Sequence, residues 1–107
     1  MYKLDLTSYD VRVKGPDGKD FDKEFEVRNS FKLLLFHPAL KITGRDLLFR
    51  NKLWLKIKGC KDDYLLIDSV HMKLLRDSCD RLDCFKESDI EFLERIYECD
   101  EVKNESD

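Results

Sequence analysis

Residues 2–27, YKLDLTSYDVRVKGPDGKDFDKEFEV, restrict the fold more than any other stretch, because apolar side chains fall there at mostly even spacing with charge between them. Leu4 and Leu6, then Tyr9, Val11 and Val13, then Phe21, Phe25 and Val27 alternate with polar neighbours. Period-two alternation is the mark of a strand with one buried face. Gly15-Pro16-Asp17-Gly18 supplies the residues of a tight reversal between the runs. The reading is a β-hairpin, with a bulge at Thr7-Ser8 accounting for the offset between Leu4/Leu6 and Tyr9/Val11/Val13.

From residue 29 onward the pattern turns helical. Asn29-Ser30 are N-cap residues for a short apolar helix over about 30–36, and Pro38 discourages its continuation through His37. Thr43 can cap a second helix from Gly44, with Asp46 in the first turn where the helix dipole favours an acid. Over 53–58 two periods compete. Leu53, Leu55 and Ile57 alternate as in a strand, whereas Leu47, Arg50, Trp54 and Ile57 fit helical spacing. Helix is preferred because no turn residue interrupts the pattern before Gly59. After a turn at Lys61-Asp62-Asp63, "YLLI" at 64–67 reads as a short strand. Asp68 or Ser69 caps an amphipathic helix with Val70, Leu74 and Leu75 on one face, joined by Met72 and Cys79. Ser88 and Glu91 form a capping box for a last helix carrying Ile90, Leu93, Ile96 and Tyr97. The predicted architecture is α+β: an N-terminal β-hairpin followed by about four short helices in a single compact domain, 1–102, with 103–107 a frayed acidic tail.

The 107 residues suit one domain. A hydrophobic share of 42%, with 11% aromatic, can fill a core, so the 40% of charged residues belongs to the surface rather than to a disordered chain. No apolar run approaches the length of a membrane helix, and residues 1–14 lack the basic start and apolar run of a secretory signal. The expectation is a soluble, cytoplasmic protein with Cys60, Cys79, Cys84 and Cys99 reduced, although four cysteines admit two disulfides in three connectivities.

The sites that chemistry requires are not evident. Structural zinc draws ligands in close pairs, and the nearest pair here, Cys79 and Cys84, has no second pair to complete it. There is no calcium-loop spacing, phosphate-cradling glycine loop or nucleophile elbow. Asp62-Asp63 and Asp80/Asp83 read as solubilising acids. His37 reads as a helix-end residue facing terminal carbonyls, and His71 as half exposed. An enzyme reading would gain only if one of them lay in a cleft beside a cysteine. No catalytic residue, metal or cofactor is expected, and the chain is read as a non-enzyme.

Charge is unevenly distributed. Residues 41–61 hold seven bases against one acid, and residues 87–107 hold nine acids against two bases, within a net charge of −3. The candidate interaction residues are therefore Arg45, Arg50, Lys52, Trp54, Lys56 and Lys58. If 53–58 is a strand, Trp54, Lys56 and Lys58 share a face that can stack a base and hold phosphate. If it is a helix, the bases spread around the circumference, with Arg45, Lys52 and Lys56 on one side. Apolar residues on nearly every side of that helix suggest an element enclosed by the domain or by a partner. The basic middle of one copy could also meet the acidic end of another.

The runs "RNSFKLLLFHPALKITGRDLLFRNKLWLKI", "DDYLLIDSVHMKLL" and "ESDIEFLERI" resemble small phage-encoded accessory or assembly proteins. That resemblance implies a viral, non-enzymatic protein acting in virion assembly or on a host factor, and it transfers no functional residue. The reading is a protein-interaction module, with a self or heterologous protein partner. Its alternative is a nucleic-acid-binding protein using the basic segment 41–61 around Trp54.

Overall fold

The computed structural model describes residues 1–102; the tail predicted at 103–107 lies outside the described residues. The fold is α+β, and its strands form two separate antiparallel pairs. Strands β2 (Tyr9–Lys14) and β3 (Asp20–Phe25) make the hairpin, in register from Tyr9 opposite Phe25 to Lys14 opposite Asp20. Its reversal follows the glycines: Gly18 adopts φ +80°, the left-handed region open to glycine, and its amide donates to the Gly15 carbonyl at 3.0 Å.

Strand β1 (Tyr2–Asp5) is not the front of this hairpin. It pairs with β4 (Tyr64–Ile67), the "YLLI" segment, from Tyr2 opposite Ile67 to Asp5 opposite Tyr64. Thr7-Ser8 is therefore a break and not a bulge. The Asp5 carboxylate accepts from the Thr7 amide at 2.9 Å and from the Thr7 hydroxyl at 2.6 Å, an Asx turn that takes the backbone out of the ladder. Partial burial would raise the Asp5 carboxyl's pKa, but the Thr7 hydrogen bonds and the Arg95 charge outweigh it and hold it below the usual range. The other edge of β1 is covered by residues 99–102: Tyr2 bridges Glu101, and the Val102 amide donates to the Met1 carbonyl at 2.7 Å.

The hairpin does not bury one whole face as expected. Only its base reaches the core, where Tyr9 stacks on Phe25 with centroids 4.6 Å apart, whereas Phe21 near the tip is 47% exposed. Four helices supply the rest of the core: α1 (Val27–Leu35), α2 (Gly44–Gly59), α3 (Ser69–Arg81) and α4 (Ile90–Tyr97). They enclose Leu4, Phe31, Leu53, Ile57, Leu75 and Ile96, all fully buried.

Helix α1 starts before Asn29-Ser30, with Glu26 at its N-cap and no side-chain cap bond. Burying Val27 on the same face as Phe31 and Leu34 outweighs the cap chemistry two residues further on. The segment 53–58 is helical, and the strand alternative does not form. The Thr43 hydroxyl accepts from the Asp46 amide at 3.4 Å at the start of α2. At its other end the Arg28 guanidinium donates to the carbonyls of Ile57, Cys60 and Asp62 at 2.7, 2.5 and 2.8 Å. One cation thereby ties the Ile57 carbonyl of the last turn, which also accepts from the Cys60 amide at 3.4 Å, to the Cys60 and Asp62 carbonyls just past the helix.

In α3 the Asp68 cap is as expected, its carboxylate accepting from the His71 amide at 2.8 Å. The buried face, however, is His71, Met72, Leu75, Ser78 and Cys79, and Val70 is exposed. In α4 the buried residues are Phe92 and Ile96, with Ile90 and Tyr97 exposed. The predicted Ser88 capping box is replaced by a 3-10 turn at Glu87–Asp89, in which the Asp89 carboxylate accepts from the Lys86 amide at 2.8 Å. The Ser88 carbonyl instead accepts from the Tyr9 hydroxyl at 2.9 Å. All four cysteines are free thiols. Among the described residues no helix is long and apolar enough to cross a membrane.

Candidate functional site

The six residues singled out from the sequence all lie on α2, and the helix separates them. Arg50 turns inward and is 2% exposed. Its Nε donates to Asp46 Oδ2 at 2.9 Å, and its Nη1 donates to the Leu35 carbonyl and to Ser78 Oγ, each at 2.9 Å. The Ser78 hydroxyl passes its own proton to the Leu74 carbonyl at 2.8 Å. Arg50 thus ties the end of α1 to α2 and α3. A buried guanidinium is tolerable only when its donors are met in this way, so Arg50 is an internal brace and not a contact residue.

Trp54 is half-buried against the core, and the Lys32 ammonium stands 5.6 Å from its ring centroid. It lines a shallow polar depression with Arg28, Lys32, Glu24 and Glu26. The face that would have stacked a base, with Trp54, Lys56 and Lys58 together, depended on a strand. The helix keeps Trp54 and Lys58 about 40° apart and turns Lys56 to the other side.

Arg45, Lys52, Lys56 and Lys58 remain exposed. At 3.6 residues per turn each position advances about 100°, so Arg45, Lys52 and Lys56 fall within about 40° of one another and make a basic stripe. Leu48 and Leu55 lie beside it, roughly opposite the buried Arg50, Leu53 and Ile57. Leu48 is 67% and Leu55 54% exposed, and Leu47 adds a third uncovered leucine on the far side of the ridge. The domain encloses only one side of α2.

No family model, curated protein or solved structure matches the chain.

A second cluster joins parts of the chain far apart in sequence. His37 Nε2 lies 3.8 Å from Cys84 Sγ, and both line a cavity of about 300 Å³ with Leu33, Leu34, Leu82, Phe85 and Phe92. His37 does not face helix-end carbonyls as expected. Its Nδ1 accepts from the Ala39 amide at 3.1 Å, capping the 3-10 turn Pro38–Leu40. Because Nδ1 accepts there, the neutral imidazole carries its proton on Nε2, directed at the sulfur. Among the described residues no carboxylate bonds the ring, which departs from the nucleophile, base and orienting-acid arrangement of acyl-transfer enzymes.

His71 is not half exposed. It is 7% exposed and stacks on Phe49 with centroids 5.2 Å apart. Its Nδ1 lies 3.3 Å from Asp68 Oδ1 but off the direction of a hydrogen bond, and among the described residues it has no other partner. Burial lowers its pKa more than the Asp68 charge raises it, and Lys56 lowers it further.

Sequence reasoning missed the exposed leucines, and although it named a cleft histidine beside a cysteine as the condition that would favour an enzyme, it did not pair His37 with Cys84. The leucines were legible in part: placing the inward face of α2 on Arg50, Leu53 and Ile57 forces Leu48 and Leu55 outward. The pair had no signal, since no motif links positions so far apart in the chain.

Proposed function

We propose that the chain is a small non-enzymatic protein-interaction module whose docking surface is the outward face of α2. The observation that carries this reading is the ridge of Leu48 and Leu55, more than half exposed on a helix whose other side is packed into the core. Such leucines are costly in isolation and useful once covered. The stripe of Arg45, Lys52 and Lys56 beside the ridge defines the complement: an amphipathic segment with apolar anchors and acids along one flank. Such a role fits a cytoplasmic accessory protein of the kind phages encode, acting on a host factor or in virion assembly.

The test is affinity capture from the native host with the intact chain, run beside Leu48→Glu/Leu55→Glu and Lys52→Glu/Lys56→Glu variants of unchanged thermal stability. A protein retained by the native chain and released by both variants supports the reading. Retention that neither variant disturbs overturns it. Capture of nucleic acid, lost with the lysines but kept without the leucines, would replace it with the nucleic-acid alternative.

A further inference from the structure

We propose that Cys84 is a self-acylating thiol, taking an apolar acyl chain from an acyl thioester into the cavity between α1 and the 82–89 segment. The site is independent of the docking face on α2.

Its four thiols are chemically distinct. Cys79 is buried, and burial with the nearby Asp80 charge pushes its pKa up to about 12. Cys99 is pushed up by burial and donates its S–H to the Lys3 carbonyl at 3.2 Å. Cys60 donates to the Tyr64 carbonyl at 3.2 Å. A carbonyl acceptor stabilises the protonated thiol, the unreactive form. Cys84 alone among them is exposed and has a nitrogen donor at its sulfur, the His37 Nε2–H. The Ala39 amide on Nδ1 holds that tautomer in place.

The adjoining cavity selects the electrophile. Leu33, Leu34, Leu82, Phe85 and Phe92 make most of its walls, with Ser30 and the Asp89 carboxylate as polar members beside the His37–Cys84 pair, so it favours an apolar chain over an anionic one. In the reaction the Cys84 S–H loses its proton to solvent, and the sulfur, hydrogen-bonded by His37, attacks the thioester carbonyl. A new S–C bond forms and the donor's C–S bond breaks. The departing thiolate takes a proton from solvent, leaving Cys84 as an acyl thioester and the donor as a free thiol. No oxidant or metal enters the balance.

The experiment incubates the intact native chain with the octanoyl and acetyl thioesters of N-acetylcysteamine and maps acylated peptides by mass spectrometry over time. Cys84 is expected to acylate about tenfold faster than Cys60 or Cys99, with octanoyl preferred over acetyl beyond the ratio the two donors show toward free cysteine. His37→Ala should slow Cys84 and leave Cys60 unchanged. Equal rates at Cys84, Cys60 and Cys99 overturn the proposal, as does the same octanoyl-to-acetyl ratio as free cysteine. An undiminished Cys84 rate in a folded His37→Ala chain also overturns it. The chain-length comparison requires no variant, so it decides the matter even if His37→Ala fails to fold.

Discussion

Arg50 and Arg45 are five residues apart on one helix and have opposite duties. Removing the Arg50 side chain strands the Leu35 carbonyl and Ser78 hydroxyl in the interior and leaves Asp46 without its partner. Arg50→Ala is expected to lose about 2–4 kcal/mol of unfolding free energy in urea titration, whereas Arg45→Ala should stay within about 0.5 kcal/mol. Equal effects would contradict the brace. His71 gives a second residue-scale expectation, in pH. Its folded-state pKa is depressed, so the unfolded chain binds the proton more readily. The contribution to stability is whole above the unfolded histidine value near pH 6.5 and is lost as pH falls below it. Asp68 is also depressed, by the His71 amide hydrogen bond first, but its contribution is lost only as pH falls through the carboxylate range below about 4. Urea midpoints for the native chain should therefore drop between pH 7.5 and pH 5.5, and those of His71→Phe should drop less. A parallel drop in both would assign the effect elsewhere.

At the scale of elements, the features that were legible are the local ones. Thr43 and Asp68 cap the helices they precede, Pro38 ends α1, and Gly15 to Gly18 reverse the hairpin, because each depends on residues within one turn. The helix or strand ambiguity at 53–58 was resolved by tertiary burial of Leu53 and Ile57 on the side shared with Arg50. The faces of α3 and α4 were legible in part: Met72, Leu75, Cys79 and Ile96 are buried as expected, but Val70, Ile90 and Tyr97 are exposed, because several apolar stripes fit each sequence and packing chose the one containing His71 or Phe92. The partner of β1 could not be read at all: alternation identifies a strand but not its mate, and Tyr64–Ile67 lies about sixty residues away. Gly59 does close α2, as no turn residue precedes it, but the part played there by Arg28 of α1, which binds the Ile57 and Cys60 carbonyls, has no local signal. Arg28→Ala should cost about 1–3 kcal/mol and speed amide hydrogen exchange in the last turn of α2 ahead of the rest of that helix. Uniform acceleration along α2 would mean the guanidinium braces the whole domain rather than this terminus.

For the whole molecule, the separation of charge along the chain has a consequence in solution. A basic stripe on α2 and an acidic stretch of sequence after residue 87 give each copy two oppositely charged regions. If they associate weakly, light scattering should show a mass that rises with concentration at low salt and returns to the monomer near 0.5 M salt, where the screening length falls to a few ångströms. A monomer under every condition would leave the α2 face to a heterologous partner. What the sequence conveyed at this scale was the class of fold and the location of positive charge. Which charges face outward required the packed core, since Arg50 and Lys52 differ by two positions and only one of them meets solvent.

The strip of chain at 99–102 along β1 bears on how the molecule is made. On the ribosome β1 emerges well before its mate β4, and β4 before the covering strip, so the sheet keeps an open flank until residues 99–102 are made. The Asx turn at Asp5 and the brevity of β1 limit what else could pair there in the interval. That flank can be closed only once residues 99–102 exist, and their contacts along β1 make them the latch on its sheet.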